Sequence, residues 1–343
     1  MYLEHFHLQE FPFRLTTDED FFFLSRGHAR AKAYMNYTLV SKDGFVVITG
    51  EIGAGKTTLL HKLISEMKDN IILAHIDQTQ LDETEFLQAV CSAYGLEIAG
   101  AGKVELINRL RKFLLRMAQS DRRVVLAVDE AQSLGYGVLE EIRQLSGIES
   151  NKNKLMSVML LGQPELDRVI SSPQMEQLAQ RVRLRLHLGP MTEEESREYI
   201  MHRLTVAGAR NAELFEEDAY AVIQKFAGGI PRLINSLCDM ALLTAFVEER
   251  YRISADAVET AARELEWVSY EDRQARKRMN GSSPVLARAN YNGSPYPDPE
   301  VAEFSQAIQS AISNVATGFD GLRQELQAIE RQLAEVVKRL DKR

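Results

Sequence analysis

Short apolar runs alternate with longer amphipathic ones through the first half of the chain. "FVVIT" (45–49), "IILAHI" (71–76), "VVLAV" (124–128) and "LMSVMLLG" (155–162) are brief, unbroken and rich in β-branched residues. Between them, "KTTLLHKLISEM" and "VELINRLRKFLLRM" place their apolar residues at helical spacing. Strands of that kind separated by helices predict a parallel sheet covered on both faces. A different pattern occupies "LAQRVRLRLHLGP" (178–190), where Arg181, Arg183, Arg185 and His187 alternate with Val182, Leu184, Leu186 and Leu188. Period-two alternation predicts a half-buried strand, and charge on its outer face suits a sheet edge.

From Thr192 to about Trp267 only helical periodicity remains. It opens at "TEEE" (192–195), where Thr192 caps and Glu195 stands three residues on. Residues 271–300 are rich in Pro, Gly, Ser and Asn and predict a flexible linker. Beyond it, Ile312, Val315, Phe319, Leu322, Leu326, Ile329, Leu333, Val336 and Leu340 keep a 3-4-3-4 spacing. That spacing predicts a coiled coil, weakened at its start by Gly318 and Gly321. The expected division is an α/β part with an aromatic N-terminal segment (1–190), a helical subdomain (191–268), a linker (269–302) and a coiled coil (303–343).

Composition narrows the classes. With 343 residues, 45% of them hydrophobic and 26% charged, the chain has material for roughly two domains. Its two cysteines, Cys91 and Cys238, stand far apart without metal-ligand spacing and read as buried, reduced thiols. No apolar run reaches the ~18 residues of a membrane span, and "MYLEHFHLQE" has no leader-like pattern, so a cytoplasmic protein is expected. A net charge of −8 argues against broad electrostatic binding of nucleic acid. The local cluster Arg273, Arg276, Lys277 and Arg278 keeps that alternative open.

"GEIGAGKTT" (50–58) fits G-x-x-x-x-G-K-[ST] and stands after a predicted strand and before a helix. Glycines at 50, 53 and 55 let the loop Gly50–Glu51–Ile52–Gly53–Ala54–Gly55 curl so that its N–H groups point at phosphate oxygens. Lys56 would then reach the β- and γ-phosphates, Thr57 would ligate Mg²⁺, and Thr58 would complete the nucleotide-binding run 50–58. "VVLAVDE" (124–130) ends a buried strand in two acids, placing Asp129 at the metal and Glu130 where it could polarise water. Gln163, ending the fourth strand, is either a sensor of the γ-phosphate or an amide capping the next turn. Arg232 in "GGIPRLIN" (228–235) projects from a helix start toward the nucleotide, or stands there as a surface arginine. The implied ligands are ATP and Mg²⁺.

The chain resembles AAA+ ATPases of the ExeA type, a group that includes secretion-associated ATPases and the transposition ATPases TnsC and TniB. The resemblance covers residues 1 to about 266 and rests on "GEIGAGKTT", "VDEAQ", "LLGQPEL", "QRV...HLGPM", "GGIPRLINSLCD" and the N-terminal "F.L.EFPF....D..FFFLS..H..A". Within the group the sequence is most similar to ATPases encoded with polysaccharide-export and exosortase systems. The family implies a P-loop sheet with a helical lid, ATP hydrolysis and shared nucleotide sites in a homo-oligomer. It also implies that Arg181 is donated to a neighbouring subunit's nucleotide, the alternative being an edge arginine; Arg183 and Arg185 have no such counterpart. The expected role is an oligomeric ATP-driven switch serving secretion or exopolysaccharide machinery, with a protein partner on the coiled coil and, through a membrane-associated partner, a peripheral place at the inner membrane. A DNA-binding regulator of transposition is the alternative.

Overall fold

A computed structural model describes residues 2–280, apart from 17, 42–43, 79, 151–152 and 211–212. The coiled coil expected at 303–343 and most of the expected linker lie outside the described residues. After the short α1 (Tyr2–His5) and α2 (Arg26–Val40), strands and helices alternate: β1 (Phe45–Gly50), α3 (Lys56–Ser65), β2 (Ile71–Ile76), α4 (Glu83–Ala93), α5 (Lys103–Gln119), β3 (Arg123–Val128) and α6 (Tyr136–Ser146). A two-residue hairpin, β4 (Glu149–Ser150) and β5 (Asn153–Lys154), leads into β6 (Met156–Gly162), α7 (Glu165–Ile170), α8 (Glu176–Ala179) and β7 (Leu184–Leu188). Helices α9 (Glu193–Val206), α10 (Glu217–Ala227), α11 (Pro231–Val247), α12 (Ala255–Glu264) and α13 (Tyr270–Asn280) complete the described chain.

Five strands form one parallel sheet in the order β2-β3-β6-β1-β7. β1 lies inside it and is buried at every position, which explains its unbroken apolar run. Its side chains divide by parity. Val46 and Ile48 meet Met35, Leu59 and Leu63 on the α2/α3 face, while Phe45 and Val47 join the core under α4, α5 and α6. Each fully buried aliphatic side chain there contributes about 1.5–3 kcal/mol relative to exposure. The sheet thus fixes β1 rigidly, and the loop that leaves its C-terminal end inherits that rigidity.

β7 is one of the two edge strands, buried and exposed by turns, as its alternation predicts. The strand is shorter than the alternating stretch. Arg181 belongs to the turn after α8, where its N–H donates to the Leu178 carbonyl (2.9 Å), and only Arg185 and His187 lie on the strand's outer face.

The helical group begins at the capping box of Thr192 and Glu195. Its core contains Tyr199, Ile200, Ile223, Leu237 and Val258, and also Tyr2, Phe6, Leu8, Phe13 and Phe21. The aromatic N-terminal segment, grouped on sequence with the α/β part, therefore packs against the helices instead. Its rings bury more apolar surface there than a sheet already covered on both faces could offer.

Residues 270–280 also depart from expectation: they form α13 rather than the start of a linker. Ser269 holds its first turn by accepting from the Asp272 N–H (3.1 Å), and Arg273 lays its guanidinium over Trp267 (4.5 Å). "YEDRQARKRMN" contains no Gly or Pro. The turn-rich composition that suggested a linker belongs to the residues after 280.

Candidate functional site

The loop between β1 and α3 reaches its shape through two left-handed glycines. Gly53 has φ 81° and Gly55, which caps α3, has φ 93°. Neither position has room for a β-carbon: one at Gly53 would strike the Arg232 side chain, and one at Gly55 would lie 2.7 Å from His28 Nε2. Lys56 is buried and donates from Nζ to the carbonyls of Gly50 (2.8 Å) and Glu51 (3.1 Å). Burial pulls its pKa below the ordinary lysine value, against the opposing pull of Glu130, Asp129 and Glu51. The ammonium is thus held by neutral carbonyls that a more strongly charged ligand could replace.

The C-terminal end of β3, separated from β1 by β6, brings in the acids. Asp129 is 3% exposed, accepts from the Thr57 hydroxyl at 2.5 Å through Oδ2, and accepts from the Glu130 N–H at 2.8 Å through Oδ1. These two oxygen donors, a threonine hydroxyl and a carboxylate, suit a hard cation such as Mg²⁺, whose remaining ligands would be phosphate oxygens and water. Among the described residues no group of three or more His, Cys, Asp or Glu could hold a metal by itself. The donor set fits a metal brought with its nucleotide.

Glu130 sits in the left-handed region at φ 49°, a conformation uncommon for a non-glycine residue. Its exposed carboxylate accepts from Gln132 Nε2 (2.6 Å) and Gln163 Nε2 (3.3 Å). Gln132 Oε1 in turn accepts from the Gln163 N–H at 2.9 Å. Gln163 thus engages Glu130 in this structure. Gln132 was visible in "VDEAQ" but had no role on sequence; its place two residues after Glu130, opposite the end of β6, is a tertiary fact.

His28 was likewise unassigned. Its Nε2–H donates to the Ala54 carbonyl at 3.0 Å, while Nδ1 accepts from the Ser25 hydroxyl at 2.7 Å. A carbonyl can only accept, so Nε2 carries a hydrogen, and in the neutral ring Nδ1 is then the acceptor. Burial lowers the imidazole pKa and keeps that form, with the Ala54 bond opposing. An element before the sheet thereby holds the back of the phosphate loop.

A cavity of about 250 Å³ opens over this loop. One end is lined by Ile52, Gly53, Gly55, Lys56, Thr57 and Thr58, with Glu130 beside them; the other by Arg14, Phe21, Tyr199, Arg203 and Asn235. Arg203, 6% exposed, organises the second end. It donates to the Pro12 carbonyl, to Arg14 O (3.4 Å) and to the Tyr199 hydroxyl (3.1 Å), and lies 4.7 Å over the Phe21 ring. Tyr199 donates to Asn235 Oδ1 (2.8 Å), and Asn235 Nδ2 donates to Arg14 O (3.3 Å).

Arg232 joins the two ends. With Pro231 at the first position of α11, its N–H donates to the Gly53 carbonyl at 3.2 Å and its side chain lines the cavity. Of the residues expected from sequence, Lys56, Thr57, Glu130 and Arg232 line one space, with Asp129 bonded to Thr57 and Gln163 to Glu130 behind them. Arg181 is not among them. Its guanidinium lies against Gly147, 3.1 Å from where a β-carbon there would be, and helps Lys154 lower the Glu149 pKa.

The sheet order, phosphate loop and helical group define an AAA+ fold of the P-loop class. Residues 39–170 match the model of the AAA domain family. General secretion pathway protein A of Aeromonas hydrophila is 37% identical over 272 residues, covering 79% of this chain and 50% of that protein. The chain belongs to the AAA+ proteins of that type, and spans about half the length of this curated relative. Two solved structures share the fold. Cdc6p of Pyrobaculum aerophilum has a TM-score of 0.57 at 16% identity, covering 74% of this chain and 70% of that one. The ORC2 protein of Aeropyrum pernix, in ADPNP–ADP complexes, has 0.53 at 17%, covering 83% and 84%.

Proposed function

We propose that the chain is a Mg²⁺-dependent ATPase that works as an oligomeric switch. The observation that carries this reading is the meeting of Lys56, the Thr57–Asp129 pair and Glu130 at one end of one cavity. ATP would lie with its phosphates along Gly50–Thr58 and its nucleoside toward Arg14, Tyr199 and Arg203. Thr57 and Asp129 would hold Mg²⁺, which supplies charge neutralisation between the β- and γ-phosphates. Lys56 would exchange its two carbonyl partners for phosphate oxygens. Glu130 would orient a water and take its proton as the water oxygen bonds to the γ-phosphorus, while the bond to the β–γ bridging oxygen breaks and ADP leaves. Gln132 and Gln163, both donating to Glu130, keep that carboxylate in place before water arrives, which favours slow turnover in isolation.

The helical group acts as a lid, and Arg232 reports its position to the loop. Arg181 stands away from its own chain's cavity, as an arginine serving a second subunit would. In this reading nucleotide sites are completed between copies, residues 303–343 recruit a protein partner, and the partner belongs to secretion or exopolysaccharide machinery. Kinship with General secretion pathway protein A supports the secretion setting. Among the described residues no helix is long and apolar enough to cross a membrane; in this reading a place at the inner membrane comes through that partner.

Mixing variants tests the shared site. Arg181→Ala should keep ATP affinity and lose about 10³-fold or more in turnover. Combining it with inactive Glu130→Gln should restore Mg²⁺-dependent phosphate release, because some interfaces then hold an intact Glu130 facing an intact Arg181. Absence of recovery in assemblies shown to mix would leave Arg181 a structural arginine of the turn after α8, set against Gly147.

A further inference from the structure

The segment that follows the helical group is built into the turn that carries Arg232. Helix α10 ends at Gly228 with φ 58°, and Gly229 follows with φ 73°, so the chain reverses before Pro231 opens α11. Both glycines are required by close approach. A β-carbon on Gly228 would collide with the ring of Tyr270, and one on Gly229 with the backbone of Met191. Met191 N–H also donates to the Gly229 carbonyl at 2.9 Å. On one side, then, the turn rests on the residue that precedes the first lid helix. On the other side it rests on α13.

The α13 contact is costly to make, which separates it from a passing surface contact. Arg273 is half-buried, donates to the Phe226 carbonyl in the last turn of α10, and stacks over Trp267 at 4.5 Å. Burial lowers its pKa from the ordinary arginine value. Among the described residues this partly desolvated guanidinium is met by the Phe226 carbonyl and the faces of Trp267 and Tyr270, and its desolvation is offset by the packing it secures. The Tyr270 ring packs against Gly228, and its hydroxyl separately accepts from Gln274 Nε2 at 2.8 Å. Burial, and then the charge of Glu51 in the phosphate loop, raise the phenol pKa.

The geometry points to Tyr270 and Arg273 as positioning residues for Arg232: by clamping the Gly228–Ile230 turn they set how α11 meets Gly53. The chain of contacts is continuous. Arg273 and Tyr270 hold residues 226–228, the turn carries Pro231, and the Arg232 N–H donates to the Gly53 carbonyl at 3.2 Å. A shift of the turn would move the arginine along the phosphate loop, where misplacement of a charged group is expensive in rate. The inference rests on the ATPase reading for its kinetic readout and on geometry alone for its binding readout.

A double-mutant cycle in the full chain tests it, with ATP affinity measured by equilibrium binding beside kcat and KM. Tyr270→Ala should shift ATP affinity and kcat/KM in the same direction as Arg232→Ala. Adding it to Arg232→Ala should cause little further loss, giving a coupling of roughly 2- to 150-fold. Tyr270→Phe, which keeps the ring over Gly228, should restore wild-type values. Arg273→Gln carries the same cycle if Tyr270→Ala fails to fold. Strict additivity, or reduced thermal stability with unchanged ATP affinity and kinetics, would overturn the positioning role. Binding coupling without any Lys56-dependent hydrolysis would instead remove the ATPase reading and leave the positioning role standing.

Discussion

The two ends of the cavity are built in opposite ways. The phosphate end is made by one loop of nine residues, Gly50 to Thr58, and two acids at the tip of β3, one strand removed from β1. The far end is made by Arg14 and Phe21 from one extreme of the described chain and by Tyr199, Arg203 and Asn235 from the other. At the first end the chemistry lies in the backbone: left-handed glycines, helix N–H groups and a buried lysine held by carbonyls. At the second it lies in side chains, an arginine and an asparagine, that capture carbonyls about 190 and 221 residues away in sequence. The difference teaches where rigidity comes from. The phosphate loop borrows it from a fully buried strand, whereas the far wall must be assembled by tertiary hydrogen bonds and is correspondingly easier to loosen.

The contrast ranks the expected effects. Glu130→Gln should cost about 10²–10⁴ in turnover through lost proton acceptance, while ATP still binds because Thr57 and Asp129 are intact. Wild-type turnover in that variant would contradict the role assigned to Glu130. Lys56→Ala should lower ATP affinity by roughly 30- to 4,000-fold, equivalent to about 2–5 kcal/mol for a charged partner lost from a buried pair. Equilibrium binding decides it, and unaltered affinity would mean that the phosphates lie elsewhere.

At the far end the effects should be smaller and should appear first as instability. Arg203→Lys keeps the charge but loses the fork that serves Pro12, Arg14 and Tyr199 together, and should cost about 1–3 kcal/mol. Thermal unfolding with and without ATP reads this. A melting temperature equal to wild type would show that the N-terminal segment does not depend on Arg203.

Smallest is the pH response of His28. Its folded pKa lies below the unfolded value near 6.5, so the native state binds fewer protons than the unfolded one as pH falls. The stability it contributes is present above about pH 6.5 and is lost as pH falls toward the folded pKa. His202, also lowered chiefly by burial, adds to the same window. His28→Gln should therefore flatten the acid limb of a stability–pH profile without abolishing it. An unchanged limb would contradict a buried, neutral imidazole.

The same contrast explains what could be read along the chain. The strands, the loop and the Asp129–Glu130 pair are contiguous, and their spacing states their geometry, so the parallel sheet and the meeting of the glycine loop with Asp129 were legible. The packing of the N-terminal rings was not, because an aromatic segment carries no mark of which surface it will cover. Gln132 and His28 escaped for a related reason: each matters through one long-range bond, to Gln163 and to Ala54. The helix at 270–280 was hidden by averaging, since a composition window reaching to residue 300 mixed helix-forming residues with Pro, Gly and Ser beyond them. The arginine row at 181–185 showed the opposite fault. Its alternation was real, yet the strand begins at Leu184, and Arg181 turns away toward Gly147.

One comparison tests directly whether a single nucleotide spans both ends. ATP and inorganic triphosphate, each with Mg²⁺, would be bound at equilibrium to full-length Glu130→Gln protein, alone and combined with Lys56→Ala or Arg203→Lys. The account predicts that Lys56→Ala weakens both ligands, whereas Arg203→Lys weakens ATP and leaves triphosphate unchanged. Equal losses for both ligands on Arg203→Lys, or none for either, would contradict a site divided into a phosphate end and a nucleoside end.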